Sequence, residues 1–89
     1  MIARICTEDK HHEWIREQVN HVFDCFTINH GLGAWKNHLE PSITIEIAFL
    51  GYCSQAERAS ILELAEHIKA HNVQEKILVE FIVSENILL

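Results

Sequence analysis

Large apolar residues alternate with polar or small ones most clearly over residues 42–50. Ile43, Ile45, Ile47 and Phe49 take the odd positions, and Thr44, Glu46, Ala48 and Leu50 the even ones. A period of two marks a strand with one buried face. The same alternation runs through residues 1–7, with Ala3 and Ile5 on one face and Ile2, Arg4 and Cys6 on the other. It recurs over 76–83, where Ile77, Val79, Phe81 and Val83 oppose Leu78, Glu80 and Ile82. Elsewhere the period changes to that of a helix. Trp14, Ile15, Val19, Val22 and Phe23 predict a helix over about 10–23, and Ile61, Leu64, Ala65 and Ile68, widened by Leu62, predict a second over about 55–71.

The punctuation between these segments is specific. Ser54-Gln55-Ala56-Glu57 matches a capping box, in which the Ser and Glu side chains satisfy free helix N–H groups reciprocally. Thr7 and Asp9 are candidate caps for the first helix, and Asn72 is a candidate left-handed residue closing the second. Residues 25–30 read as a second strand with Phe26 and Ile28 inward. Gly31 and Gly33 then suggest positive φ or a bulge, with 34–36 continuing the strand. Asn37-His38-Leu39 reads as the turn, and Pro41, which lacks a donor, as the first residue of the third strand.

The order is β-α-β-β-α-β. Right-handed crossovers then predict one ferredoxin-like α+β domain over residues 1–89, with an antiparallel sheet in the order 4-1-3-2 and both helices on one face. The second face is open. It carries Arg4 between Glu46 and Glu80, among the apolar Ile2, Cys6, Ala48, Leu50, Leu78 and Ile82. An apolar patch of this kind commonly marks a partner surface. Together with the apolar Ile87-Leu88-Leu89 it predicts a homodimer or higher homo-oligomer, with Ile2, Arg4, Glu46, Leu50, Leu78, Glu80, Ile82 and Leu88 at the interface. Sedimentation over a dilution series tests this, and a monomer throughout the micromolar range would end it.

Composition narrows the classes. With 48% hydrophobic residues among 89, the chain can build one core without staples. Its three cysteines, Cys6, Cys25 and Cys53, form no short pair, so reduced thiols in a cytoplasmic setting are expected. No apolar run reaches the ~18 residues of a membrane span, and the N-terminus does not read as a signal peptide. The net charge of −6, with Lys and Arg scattered, argues against generic nucleic-acid binding. Protonating all seven histidines would move the charge from −6 to +1, so solubility or assembly could respond to pH near 6.

Three groups carry candidate chemistry. Trp35, Lys36 and His38, on the hairpin after the glycines, place an aromatic beside a cation and an imidazole, an anchor for a small ligand or a protein partner. His67 and His71, spaced i, i+4, would share a helix face and could hold a divalent metal with Glu63 one turn earlier. The His-Glu-x-x-His pattern is absent, and a helix C-terminus favours histidine for its dipole alone. His11-His12 is a weaker case of the same kind. Cys53 precedes a helix N-terminus, where a thiolate is favoured, although no motif assigns it a base. Phosphate-binding loops, Gly-x-Ser-x-Gly and dinucleotide fingerprints are absent, and no other cofactor is expected.

Gly33-Ala34-Trp35-Lys36, Glu40-Pro41-Ser42 before the apolar strand, and Gln74-Glu75-Lys76-Ile77-Leu78-Val79 are similar to a pattern in small uncharacterised proteins of bacterial and phage genomes. The resemblance implies an accessory protein of a mobile element and no catalytic residues. The expectation from sequence is therefore a non-enzymatic interaction or small-ligand-binding module acting as a homo-oligomer. A histidine-based metal-binding or metal-responsive protein is the alternative, and a small enzyme using Cys53 or a His–Glu pair the second alternative.

Overall fold

The computed structural model describes residues 1–89, apart from the side chain of Trp35. Its elements run β1 (Ile2–Glu8), α1 (His12–Val22), β2 (Thr27–Trp35), β3 (His38–Ala48), α2 (Gln55–Asn72) and β4 (Leu78–Ile82). The strands form one antiparallel sheet in the order β2-β3-β1-β4, the α+β arrangement expected from the period changes. Odd positions of β1 and β3 bury Ala3, Ile5, Ile43, Ile45 and Ile47 against Ile15 and Val19 of α1 and Ile61, Leu64, Ala65 and Ile68 of α2. Leu62 and Val22 are exposed, so each helical stripe is narrower than expected. Arg58, in the first turns of α2, stacks over the Phe81 ring at 4.0 Å and ties that helix to the edge strand β4.

Several local expectations give way to specific side-chain bonds. Ser54 and Glu57 form the capping box as read. For α1 neither Thr7 nor Asp9 is the cap: His11 holds that place in a left-handed conformation without a side-chain cap bond. Thr7 is buried in the core-facing polar network described below, and Asp9 is engaged with His30 at 3.2 Å. Strand β2 runs unbroken to Trp35, and Gly31 and Gly33 keep ordinary strand φ with continuous register and no bulge. The turn is Lys36-Asn37, both at positive φ, the two-residue hairpin geometry that matches strand twist. Strand β3 therefore starts at His38, with Pro41 inside it. Pro41 is tolerated because its carbonyl accepts from the Asp9 N–H at 3.0 Å. Its donorless nitrogen points the same way, beyond the last β1–β3 pair at Glu8 and Ser42.

At the end of α2, Val73 and not Asn72 takes the left-handed conformation, at φ 53. Asn72 is drawn inward: its amide donates to Thr7 Oγ1 at 3.5 Å and Gln74 Oε1 at 2.9 Å, and its oxygen accepts from His11 Nδ1 at 3.0 Å. A β-branched residue at positive φ is a genuine outlier, and Val73 is 88% exposed, so no packing compensates it. Left-handed backbone costs an L-residue about 1–2 kcal/mol, and glycine at a compatible site gives part of this back through the freedom of its unfolded chain. Val73→Gly should therefore stabilise the fold by about 1 kcal/mol, read as a higher urea midpoint at unchanged slope.

Candidate functional site

The sheet is ragged at the end where the β2–β3 hairpin sits. The β1–β3 ladder stops at Glu8 and Ser42, while β2 and β3 continue as a pair out to Trp35 and His38. On the other side β4 begins only at Leu78, opposite Cys6. A cleft of about 720 Å³ fills the resulting notch on the open face. That is within the ~300–1,000 Å³ of small-molecule sites.

Its floor has little side-chain bulk. Gly33 stands opposite Glu40, and a Cβ placed on Gly33 would lie 3.3 Å from Ser42 Cβ and 3.5 Å from Ser42 Oγ. Gly33 thus supplies space and not an unusual backbone angle. Cys6 and Glu8 of β1 complete the floor, the hairpin gives Lys36, His38 and Glu40, the segment before β4 gives Gln74, Glu75, Lys76 and Ile77, and Leu78 opens β4 at its edge.

The charges divide into paired and unpaired. Glu8 Oε2 lies 2.7 Å from Lys10 Nζ. Lys36 Nζ reaches across the mouth from the hairpin turn to both oxygens of Glu75, at 3.2 and 3.3 Å. The Glu40 carboxylate, on a half-buried residue, has no ion pair or hydrogen bond among the described residues. An unmatched carboxylate in a concave site favours a cationic ligand group. Burial pushes the Cys6 thiol above its ordinary value of 9.0, a rise that the Thr44 hydrogen bond only partly opposes. The rise disfavours the thiolate at physiological pH. Because the unfolded chain releases this proton first, Cys6 leaves stability untouched below about pH 9 and erodes it as pH rises through the folded value. Cys6→Ala should remove that alkaline loss, and at pH 7.5 the exposed Cys25 should alkylate well before Cys6.

Of the residues singled out from sequence, Lys36 and His38 line this cleft. The Trp35 side chain lies outside the described residues. His67 and His71 do not form a joint site with Glu63. His71 stacks flat on Trp14, centroids 3.7 Å apart, with the His11 ring edge-on at 4.7 Å. Among the described residues no group of three or more His, Cys, Asp or Glu is placed to hold a metal ion. Cys53 lies apart from the cleft, its thiol 3.4 Å from Met1 Sδ. No helix is long and apolar enough to cross a membrane.

On the open face Arg4 sits between Glu46, at 3.3 Å, and Glu80, at 3.9 Å, through the registers Arg4↔Glu46 and Arg4↔Glu80. About a third of the Arg4 side chain remains exposed, so the network adds about 1 kcal/mol or less. Leu50, Leu78 and Leu88 are exposed, while Ile2 and Ile82 are half-buried.

Glu8, Glu40, Glu75 and Gln74 were not legible as site residues. For Glu8 and Glu40 the signal lies in the register, which sets Glu8 opposite Ser42 and Glu40 opposite Gly33.

No family model matches the chain, and no curated protein matches its sequence. Solved structures do. A phage SAM lyase in complex with S-methyl-5'-thioadenosine superposes with a TM-score of 0.59 at 16% identity, over 88% of this chain and 76% of that one. The apo state of a phage SAM lyase gives 0.60 at 16% identity, over 88% and 75%. At this identity the likeness is one of fold. It still corrects the expectation of a non-enzymatic module, because the fold that suggested an interaction surface is one on which an enzyme is built.

Proposed function

We propose that the chain is a small enzyme of the sulfonium-lyase class, acting on S-adenosylmethionine in the hairpin-end cleft. A fold hosts many activities, so the cleft's chemistry has to carry the reading. The observation that carries it is Glu40: a carboxylate unpaired among the described residues, beside a glycine floor, in a cavity of nucleoside size. The substrate is a sulfonium cation, and a fixed carboxylate in a partly water-excluded site attracts it more strongly than bulk solvent does. Pro41, Ala34, Ile77 and Leu78 offer apolar surface to a nucleoside, and Ser42 and His38 offer polar contacts.

Attack of the substrate's own α-carboxylate on its γ-carbon forms a C–O bond and closes a lactone, while the C–S bond breaks and its pair goes to sulfur. The leaving group is then a neutral thioether, and no proton, oxidant or water is needed for the step to balance. What the protein must supply is orientation of the substrate chain, through contacts at both ends of the cleft.

The test separates charge from shape. S-adenosylmethionine incubated with the protein should yield S-methyl-5'-thioadenosine by chromatography. Glu40→Gln should weaken S-adenosylmethionine binding about tenfold while leaving the uncharged thioadenosine nearly unaffected, as read by titration calorimetry. Failure of the wild-type chain to bind either compound at millimolar concentration, with no product, would overturn the reading.

A further inference from the structure

We infer that the Gln74 carboxamide is a wedge in the sheet that holds the cleft open, which makes Gln74 the positioning residue of the site proposed above. The β1–β4 register pairs Ile2 with Ile82, Arg4 with Glu80 and Cys6 with Leu78, so one further step would set Glu8 opposite Lys76. The direction of the backbone groups is fixed as well. Asp9 N–H bonds Pro41 on the β3 side, and Phe49 N–H bonds the Met1 carbonyl, so odd residues of β1 face β3 and even ones face β4. A direct bond from the Glu8 N–H to the Lys76 carbonyl is therefore the next rung of the ladder.

That rung is replaced by a side chain. The Glu8 N–H donates to Gln74 Oε1 at 3.4 Å, and Gln74 Nε2 donates to the Lys76 carbonyl at 3.0 Å. One amide group stands between the two backbone partners and satisfies both. Thr7 Oγ1 and Asn72 Nδ2 also donate to the same Oε1, which pins the wedge from the core side. The left-handed Val73 turns the chain so that the next side chain points back at β1.

The consequences meet at the cleft. β4 starts at Leu78 where the alternation of the sequence extends to Lys76, and residues 75–77 stand off from β1 as the cleft wall. Glu75 is thereby placed where Lys36 reaches it across the mouth. Removing the wedge lets the ladder close by one rung onto Lys76 and narrows the cavity.

Gln74→Ala, studied by nuclear magnetic resonance without ligand, should gain a cross-strand contact between the Glu8 and Lys76 amides and slower exchange at Lys76, neither present in the wild type. Its affinity for S-methyl-5'-thioadenosine should fall about tenfold. Gln74→Glu keeps the acceptor for the Glu8 N–H, so it should keep residues 75–77 apart from β1 and bind within about threefold of the wild type. Should Gln74→Ala not fold, Gln74→Ser, whose hydroxyl can still meet Thr7 but cannot span to Lys76, must show the same new contact. A folded Ala or Ser variant without it overturns the wedge. A wild-type chain that ignores the nucleoside overturns the lyase reading instead, and the Glu8–Lys76 contact still decides the role of Gln74.

Discussion

Ile45→Ala should cost about 3–4 kcal/mol, within the usual range for deep isoleucine truncations. Ile45 is fully buried and pairs Ile5 on one side and Ile28 on the other, while Ile5 in turn pairs Val79. A continuous row of apolar side chains thus crosses all strands beneath the helices, and Ile45 is in its middle. Strands with neighbours on both sides cannot shift to fill a void, so the loss of transfer energy and the cavity left behind add together. Domains of this size have only about 5–15 kcal/mol in total, so a large part of the stability would go. Ile45→Val, which removes one methyl group, should cost about 1 kcal/mol. Urea unfolding followed by circular dichroism measures both. A loss under about 1 kcal/mol for Ile45→Ala would mean that the row is not the centre of the core.

Gly33→Val should have the opposite signature, a large effect on binding and a small one on folding. Gly33 has ordinary strand angles, so valine meets no backbone strain, and strand propensity favours it by up to about 1 kcal/mol. Its branched carbon would stand over the cleft floor, pressed against Ser42 at about the 3.3 Å of the first added atom. Binding of S-methyl-5'-thioadenosine should fall at least about tenfold while stability changes by less than about 1 kcal/mol, the strand preference of valine set against the tight Ser42 contact. Gly31→Ala is the control. Its Cβ would meet Ser42 Oγ at an ordinary 3.8 Å, and the residue lies outside the cleft lining. Equal losses in both variants would show that the hairpin tolerates no side chain for structural reasons, with nothing specific to the cleft.

The contrast between these two positions explains what was legible in the chain. Burial of Ile43, Ile45 and Ile47 follows from spacing alone, because a strand's side chains alternate whatever surrounds it, and the capping box at Ser54 is equally local. The sheet order followed from the handedness of the connections. The site did not follow, because its members come from four places: the end of β1, the hairpin, the start of β3 and the segment before β4. Gly31-x-Gly33 was visible but was read as a backbone device, whereas the part Gly33 plays is an empty space over Ser42. The late start of β4 was illegible for a sharper reason. Residues 76 and 77 carry strand alternation, and only the three-dimensional placement of the Gln74 amide interrupts their pairing with β1.

The central place of β1 has a consequence for the chain during synthesis. Ile2 pairs with Ala48, 46 positions later, and with Ile82, 80 positions later, so β1 receives both its neighbours well after it is made. Contacts this distant in sequence form slowly. Until Leu78–Ile82 has left the ribosome, one edge of β1 stays open beside an already apolar β3, and a nascent chain in that condition is prone to pair with others of its kind. Slow elongation over α2 would prolong that interval of exposure.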